Sequence, residues 1–405
     1  MQFGAGNIGR GFLGQLFYEA GYETVFVDVK KEVIDLLNER KEYTLRIVGE
    51  KAEEITIRNI RAVNAGAGES VVAEVSTADL LCTAVGMNAL KFVAPLIAEG
   101  LEKRADSGNP SALNIILCEN FMNVRAVFRE MVLGHVGKKY RKYADDNLGF
   151  VQAVVSRMVP VVPGHVLAED PLVVFVEPYK KLPVDRSGFK GGIPVIPGMV
   201  PVHNFPAYEE QKAFTHNAGH AIAAYLGYKK GLNFIYEAIQ DTDIRAAVTG
   251  AIMDESGQAL MNKHGFSREE YKVHVDDLIE RFLNRELGDT VARVGKDPVR
   301  KLSPDDRLIG GARLSLEYGI EPVNFVKGIK AALAYDNPED KEAVELQGLL
   351  KKNGLEFVLK KVCGLSPDEE LFKMIINSSQ PAHPGNNRDG ARSRRAPTGR
   401  VDGQW

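Results

Sequence analysis

The stretch QFGAGNIGRG at residues 2–11 decides the fold, because Gly4, Gly6 and Gly9 place its glycines in the pattern G-x-G-x-x-G. An apolar run with helical spacing follows, and Thr24–Asp28 then has the pattern of a buried strand that ends in an acid. This order of strand, glycine turn, helix, strand and acid is typical of a dinucleotide-binding βαβ unit. An ordinary glycine-rich turn between a strand and a helix is the alternative interpretation.

Each part of this unit has a physical reason. The first glycine permits a tight turn, the second lets the backbone approach a pyrophosphate, and the third lets the helix pack on the strand. The free amides at the start of the helix favour phosphate, and Asp28 is expected to accept hydrogen bonds from ribose hydroxyls and to repel a 2′-phosphate. We therefore predict NAD rather than NADP as the cofactor. The predicted cofactor contacts in this unit are Gly4, Ala5, Gly6, Asn7, Ile8, Gly9 and Asp28.

Composition and charge narrow the class of protein. With 405 residues, 44% of them hydrophobic and 26% charged, the chain resembles a two-domain soluble protein. A net charge of −3 gives no reason to expect nucleic acid or membrane partners. The scattered Cys82, Cys118 and Cys363 lack metal-ligand spacing and are interpreted as reduced buried thiols of a cytoplasmic protein.

Strand-like and helix-like stretches alternate through the first part of the chain, as in a parallel sheet. After 24–28 the expected strands are 78–86, 113–120, 150–162 and 172–176. Only three residues precede Gly4, so either the first strand is clipped or its start lies further upstream. Because the carboxyl ends of the strands line the crevice of such a sheet, Val85, Gly86 and Asn120 join the predicted cofactor contacts.

The Gly- and Pro-rich segment 190–202 predicts a domain junction, and the pattern beyond it is almost entirely helical. We predict an α/β protein with a doubly wound Rossmann-type domain at 1–190 and a mainly helical domain at 191–377. Residues 378–405 contain almost no large apolar side chains and are expected to form a disordered tail. The expected helices are 208–226, 234–257, 268–284, 321–335, 338–353 and 356–362.

The second informative stretch is KAFTHNAGH at 212–220, in a helical segment that carries Lys212, Asn217 and His220. A desolvated lysine loses basicity and can act as a general base, an amide can donate to an alkoxide, and an imidazole can hold a hydroxyl. A plain helix with a solvated lysine and a core histidine remains an alternative. A zinc site at His216 and His220 is disfavoured, because Asn217 replaces the glutamate of H-E-x-x-H.

The chain resembles the polyol-specific long-chain dehydrogenase/reductase family from Gln2 to about Met374, and within it the members that act on phosphorylated polyols. The K-x₄-N-x₂-H pattern of 212–220 is that family's catalytic signature. The further motifs that carry the resemblance are FGAGNIGRG at 3–11, TAVG at 83–86, LNII and CEN at 113–120, IPGM at 196–199, HNAGHA at 216–221, AYLG at 224–227 and RKLSPDDRL at 300–308.

This resemblance implies reversible oxidation of D-mannitol 1-phosphate to D-fructose 6-phosphate with NAD and without a metal. Lys212 is then the general base, and Asn217 with Asn120 stabilises the oxyanion. His220 binds the substrate oxygen. The alternatives are a mannitol 2-dehydrogenase or hexuronate reductase of the same family, or a non-catalytic NAD-binding sensor.

A phosphorylated substrate needs cations, and the segment 289–301 contains several. A solvated basic loop is the plain interpretation of this charge. With the resemblance, we predict Arg293, Arg300 and Lys301 as phosphate ligands. The substrate is therefore a small sugar phosphate, and the lack of an obvious exposed apolar helix face predicts a monomer.

Overall fold

The computed structural model describes residues 1–49, 52–121 and 123–377, and the predicted tail at 378–405 lies outside the described residues. The described chain divides into a strand-rich part up to residue 202 and a helical part beyond it. Its strands are β1 (Gln2–Phe3), β2 (Thr24–Asp28), β3 (Tyr43–Ile47), β4 (Glu53–Ile57), β5 (Ile60–Asn64), β6 (Leu80–Thr83), β7 (Leu113–Leu117), β8 (Leu148–Gln152), β9 (Val174–Val176), β10 (Leu182–Asp185) and β11 (Met199–Val202).

Six of these strands form one parallel sheet in the order β5-β2-β1-β6-β7-β8. This is the doubly wound Rossmann order: successive strands are added on one side of β1 as far as β5, and β6 then starts on the other side of β1. The short β1 lies at the centre, where Phe3 is paired with Val27 on one side and Thr83 on the other. The predicted fold class is confirmed.

Helices cover both faces of this sheet and bury apolar side chains against it. One face packs Phe3 and Ile115 beneath the helices, and the opposite face packs Phe12 and Val151. A π-helical segment, Gly9–Leu13, runs directly into the first helix. The helices of this part are α1 (Gly14–Glu19), α2 (Lys31–Arg40), α3 (Gly68–Thr77), α4 (Met87–Asp106), α5 (Val124–His135), α6 (Arg141–Asn147) and α7 (Gly164–Glu169), with 3₁₀ turns at Lys138–Tyr140 and Arg186–Gly188.

A small second sheet was not predicted from the sequence. Strands β3 and β4 form an antiparallel hairpin, and β9 pairs with β3 in parallel. Tyr43 at the start of β3 donates its hydroxyl proton to the carbonyl of Arg10 at 2.6 Å, which ties this sheet to the glycine-rich turn. The strand predicted at 150–162 ends at Gln152, and β10 pairs with β11 in a separate ribbon.

The second part of the chain is helical and has its own apolar core. The helix predicted at 234–257 is interrupted, because the Asp241 side chain accepts the amides of Asp243 and Ile244 and starts a new helix there. The helices are α8 (Phe205–Gln211), α9 (Ala218–Lys229), α10 (Ile235–Gln240), α11 (Thr242–Thr249), α12 (Ser256–His264), α13 (Arg268–Leu283), α14 (Val291–Gly295), α15 (Pro298–Lys301), α16 (Ile309–Glu317), α17 (Val323–Leu333), α18 (Lys341–Asn353), α19 (Leu355–Lys361) and α20 (Glu370–Asn377), with π-helical segments at Lys212–Asn217 and Gly250–Glu255 and a 3₁₀ turn at Arg285–Leu287.

A buried ion pair joins the two parts. Arg281 of α13 donates from Nε to Oε2 of Glu177 at 2.8 Å and from Nη2 to Oε1 at 2.7 Å. Arg157 donates to the Glu177 carbonyl at 2.9 and 2.7 Å, and also to Gln15 of α1 at 2.7 Å. These contacts anchor the helical domain to the helix that follows the glycine turn. The domain boundary predicted at 190/191 stays a prediction, and strand β11 follows it.

Candidate active site

The glycine-rich turn follows β1 directly, and its three glycines have different surroundings. Gly4 has φ +94°, and a Cβ built on it lies 2.5 Å from the carbonyl oxygen of Ala84. A Cβ on Gly9 lies 1.9 Å from the carbonyl oxygen of Gly4, so only glycine lets the helix approach the turn this closely. A Cβ on Gly6 meets nothing within 4 Å. Gly4 and Gly9 thus serve the packing of the turn, whereas Gly6 leaves open space at the start of the helix.

Asp28 closes this turn from the end of β2. Its Oδ2 accepts the amide of Ala5 at 2.7 Å, and its Oδ1 accepts the amides of Val29 at 2.8 Å and Lys30 at 3.0 Å. The carboxylate therefore lies against the glycine turn, in the position where a dinucleotide-binding fold places its ribose ligand. Sequence reasoning missed that Asp28 also holds the turn itself.

The turn after β6 carries the predicted contacts Val85 and Gly86. A Cβ on Gly4 lies 3.3 Å from the Val85 side chain, so this turn adjoins the glycine-rich turn. The amides of Val85 and Gly86 donate to the two carboxylate oxygens of Glu119 at 3.0 and 2.8 Å. Glu119, two residues beyond the end of β7, thereby fixes the position of this turn beside β7.

Between the two domains lies a cavity of about 480 Å³. It collects residues from the ends of β7 and β8, from the start of the first helix, from α8 and the π-helical segment after it, and from the loop that follows α15. Its lining comprises Ile8, Cys118, Glu119, Asn120, Phe121, Gln152, Ala153, Val154, Val155, Arg157, Glu209, Lys212, Ala213, Asn217, Arg300, Ser303, Asp305, Asp306 and Arg307.

Lys212 is the cationic side chain that the helical domain brings against the sheet. It begins the π-helical segment, and its Nζ donates to Oδ1 of Asn120 at 2.8 Å. Burial, together with the neighbouring cations Arg307 and Arg300, lowers the pKa of the Lys212 ammonium to about 7. Asn217 lines the same cavity at the end of the segment. The structure therefore brings together three of the predicted catalytic residues, with the lysine poised to exchange a proton near neutral pH.

Glu209 lies three residues before Lys212 and lines the same cavity, but no sequence pattern distinguished it. Burial raises the pKa of the Glu209 carboxyl to about 7. Its Oε1 accepts a hydrogen bond from Nε2 of Gln152, which also lines the cavity. Two titrating groups thus share one helix face beside the cavity.

The three predicted phosphate ligands separate. Arg300 lines the cavity, and its side chain is 44% exposed. Lys301 is buried and donates to the backbone carbonyls of Val294, at 2.8 Å, and Lys296. The Lys301 ammonium group thus links two backbone carbonyls, and Lys301 does not line the cavity.

Arg293 also stays outside the cavity lining, because its Nε donates to Oδ1 of Asp289 at 2.7 Å. The cavity instead receives Arg307, which the sequence analysis did not select. Arg307 lies in the motif RKLSPDDRL, seven residues beyond Arg300, and its Nε donates to Oδ1 of Asp306 at 2.6 Å. That spacing of two arginines across a Pro-containing turn is the sequence signal that was available for it.

His220 is the fourth residue of the predicted catalytic set, and it lies behind the lining rather than in it. Its Nε2 is 2.8 Å from Oδ2 of Asp289, and its ring stacks on Phe282 with centroids 4.7 Å apart. The neighbouring His216 is buried, and burial holds its pKa well below 6.5. In the described ranges of the chain, no group of three or more His, Cys, Asp or Glu side chains is placed to hold a metal ion. The prediction of a metal-free reaction is not tested by this finding.

Among the described helices, none combines the length and the hydrophobicity that a membrane span requires.

Comparison with protein-family models gives two adjoining matches. Residues 1–198 match the mannitol dehydrogenase Rossmann domain, and residues 204–380 match the mannitol dehydrogenase C-terminal domain.

Two curated relatives, both mannitol-1-phosphate 5-dehydrogenases, match almost end to end. The protein of Bacillus pumilus is 42% identical over 381 residues, which cover 94% of this chain and 99% of the relative. The protein of Bacillus licheniformis is 42% identical over 378 residues, which cover 93% of this chain and 98% of the relative.

Two solved structures share the fold at low sequence identity. Pseudomonas fluorescens mannitol 2-dehydrogenase, in a ternary complex with NAD and D-mannitol, has a TM-score of 0.71 at 17% identity and covers 93% of each chain. A substrate-free D-sorbitol dehydrogenase has a TM-score of 0.75 at 19% identity and covers 93% of this chain and 91% of its own.

Proposed function

The chain belongs to the mannitol dehydrogenase family, and we propose that it is an NAD-dependent dehydrogenase that interconverts D-mannitol 1-phosphate and D-fructose 6-phosphate. The observation that carries this proposal is the cavity that holds Lys212, Asn120 and Asn217 together with the two arginines Arg300 and Arg307. The lysine proposed for alcohol oxidation and the arginines proposed for phosphate binding thereby line the same cavity. The curated relatives named mannitol-1-phosphate 5-dehydrogenase support the same substrate.

The residues of the Rossmann domain fit NAD. Gly6 leaves room for a close approach to the backbone, and a helix starts beside it, so that its first amides have no partner within the helix. Asp28 supplies a carboxylate at the adjoining strand end. NAD⁺ held by these residues would supply the hydride acceptor for oxidation of the alcohol. The preference for NAD over NADP follows from Asp28, because a carboxylate repels a 2′-phosphate.

Lys212 is the proposed general base. Its lowered pKa leaves much of it uncharged near pH 7, so its Nζ takes the proton of the reacting hydroxyl group. Asn120 and Asn217 are the proposed oxyanion donors, because each carries an amide NH₂ group at the cavity. The hydrogen bond from Nζ to Asn120 keeps the lysine aimed toward the end of β7 before substrate arrives.

The proton that Lys212 acquires must leave the cavity. Glu209 is the proposed acceptor for this step, because it lies one helical turn away and its pKa of about 7 matches that of the lysine. Matched pKa values allow the proton to move in either direction at little cost, as a reversible reaction requires.

Arg300 and Arg307 are the proposed phosphate ligands. Guanidinium groups bind phosphate by paired, charge-assisted hydrogen bonds, each worth roughly 1.5–3 kcal/mol. Asp306 is held between the two arginines, with its pKa lowered despite its burial by Arg307 and Arg300. A phosphate dianion entering the cavity thus meets two guanidinium groups that both contact Asp306.

The proposal also covers the location, the oligomeric state and the partners of the protein. We expect the protein to act in the cytoplasm as a monomer on a small sugar phosphate, with neither nucleic acid nor membrane as a partner. Light scattering coupled to size exclusion at micromolar concentration measures the oligomeric state directly, and a mass of two chains would contradict the monomer.

The proposed reaction is tested by incubating the protein with NAD⁺ and mannitol 1-phosphate, following NADH at 340 nm and identifying the ketose phosphate by NMR. We expect fructose 6-phosphate as the product. Free mannitol as the better substrate would favour a mannitol 2-dehydrogenase. Absence of turnover with bound NAD would favour a cofactor sensor.

A further inference from the structure

His220 lies against a carboxylate that has no assigned role in the reaction. Its Nε2 is 2.8 Å from Oδ2 of Asp289, the His220 side chain is 15% exposed, and the Asp289 side chain is 7% exposed. Both atoms are buried, and neither makes a well-aligned hydrogen bond in the described part of the chain. Their 2.8 Å contact with each other is therefore the polar contact that each of them has.

Asp289 is itself held from its other oxygen. Arg293 donates to Oδ1 from Nε at 2.7 Å and also from Nη2, so one carboxylate oxygen faces the guanidinium and the other faces the imidazole. Burial acts to raise the pKa of Asp289, but His220 and Arg293 outweigh it and the pKa is lowered. The carboxylate is therefore ionised and accepts a proton of the imidazole rather than donating one.

The histidine ring is also fixed in its plane. Phe282 stacks on it at an interplanar angle of 15°, and His220 occupies the helix that carries Lys212 and Asn217. A ring that is stacked on one face and bound at Nε2 has one functional atom left, Nδ1. Among the described residues no protein group makes a hydrogen bond to Nδ1, so this nitrogen keeps its capacity to accept one.

We propose that Asp289 is a positioning residue for the reaction: it holds His220 as the tautomer protonated at Nε2 and leaves Nδ1 as an acceptor for a substrate hydroxyl group. This rests on the proposed function, because the hydroxyl belongs to the polyol chain of the substrate. The partner fixes the tautomer of an imidazole, as carboxylates do for many functional histidines. A neutral imidazole of this tautomer accepts a hydroxyl hydrogen bond and therefore favours a substrate with a hydroxyl group at that position.

The same contacts assign Arg293 a different role from the one predicted. Its guanidinium is committed to Asp289, so it supports the histidine through the carboxylate and does not bind phosphate. We therefore expect Arg293→Ala to lower kcat/KM for fructose 6-phosphate and for fructose by the same factor.

The test is a double-mutant cycle on fructose 6-phosphate reduction with NADH. Asp289→Asn keeps the shape but offers Nε2 no carboxylate, and we expect kcat/KM to fall about 10–100-fold while the Kd of NADH stays within about twofold. In a His220→Ala background the same substitution costs nothing further, because Asp289 acts through the ring. Multiplying losses would overturn the proposal. Asp336→Asn, an exposed carboxylate that accepts the Tyr228 hydroxyl, is the matched control and keeps native activity.

A second measurement does not depend on turnover. In ¹⁵N-histidine spectra of the native protein, His220 is assigned by the signal missing in His220→Ala, and we expect a proton on Nε2 and none on Nδ1. A proton on Nδ1 would overturn the proposal even if the enzyme reduces fructose 6-phosphate. An Nε2 proton in a protein without that activity would instead retain the positioning contact and contradict the proposed function.

Discussion

The glycine-rich turn and the cavity around Lys212 are two halves of one site that are built in different ways. The turn is one continuous segment that acts through its backbone. The space around each glycine shows whether that glycine is needed for packing or leaves room for a ligand. The cavity is assembled from segments that are distant in the chain, and its properties come from the side chains that the fold brings together there. Backbone sites are therefore local in sequence, whereas side-chain sites become defined only when the chain is folded.

The largest expected effect is in the side-chain half. Lys212→Ala removes the general base, so kcat should fall about 10²–10⁴-fold while NADH affinity stays near native. The exposed Lys272→Ala is the control for charge removal. Near-native turnover of Lys212→Ala across the pH range would contradict the assignment, and steady-state kinetics with NADH titration by fluorescence checks both parts.

Within the glycine-rich turn, Gly9 and Gly6 are expected to affect different properties. Gly9→Ala places a Cβ inside the carbonyl of Gly4, so we expect a loss of about 1–3 kcal/mol in the free energy of unfolding. Gly6→Ala meets no protein atom and should unfold like the native protein, yet bind NADH more weakly because the methyl group occupies the cofactor's approach. Urea unfolding and NADH titration of both variants measure the difference. Equal stability of the two would contradict this division.

Asp28→Ala tests the acid at the second strand. We expect NADH affinity to fall by on the order of 1–3 kcal/mol, since one or two hydrogen bonds to ribose hydroxyls are lost. Because Asp28 also accepts the amide of Ala5, Asp28→Asn separates the charge from the support of the turn. Equal kcat/KM with NADH and NADPH in the native protein would contradict the cofactor preference.

A smaller expected effect is a pH dependence of kcat/KM that comes from Lys212 in the cavity. Burial lowers the pKa of Lys212, so the base is uncharged above about pH 7, and kcat/KM for mannitol 1-phosphate oxidation should rise through that pH and then level. The reverse reaction needs the charged lysine and should decline over the same interval. Arg307→Met removes a neighbouring cation and should move the midpoint upward. An unmoved midpoint would show that Arg307 does not act on Lys212.

Sequence reasoning was strongest where structure is local. The glycine turn and the strand at Thr24–Asp28 follow from short patterns, and both are present. The hairpin of β3 and β4 was missed although it is local. The pairing of β9 with β3 joins residues that are far apart in the chain, so no short pattern indicates it.

The cavity shows the limit more clearly. Arg293, Arg300 and Lys301 look alike as charges in a sequence, but two of them are satisfied internally, by Asp289 and by backbone carbonyls. Glu209 had no distinguishing pattern, since its raised pKa comes mainly from burial. The spacing of Arg307 from Arg300 was a signal, but only folding brings Arg307 to Lys212. Internal satisfaction of a charge is a property of the tertiary structure.

The central claim is that the cavity joins an alcohol-oxidising lysine to a phosphate site, and one ratio tests it. That ratio is kcat/KM for fructose 6-phosphate divided by kcat/KM for fructose, measured with NADH in the native protein and in Arg300→Ala/Arg307→Ala. Two or three charge-assisted contacts of roughly 1.5–3 kcal/mol each give a native ratio on the order of 10² or more, and the double variant should lose most of it. A native ratio near one would contradict the claim and make the protein a dehydrogenase of unphosphorylated polyols.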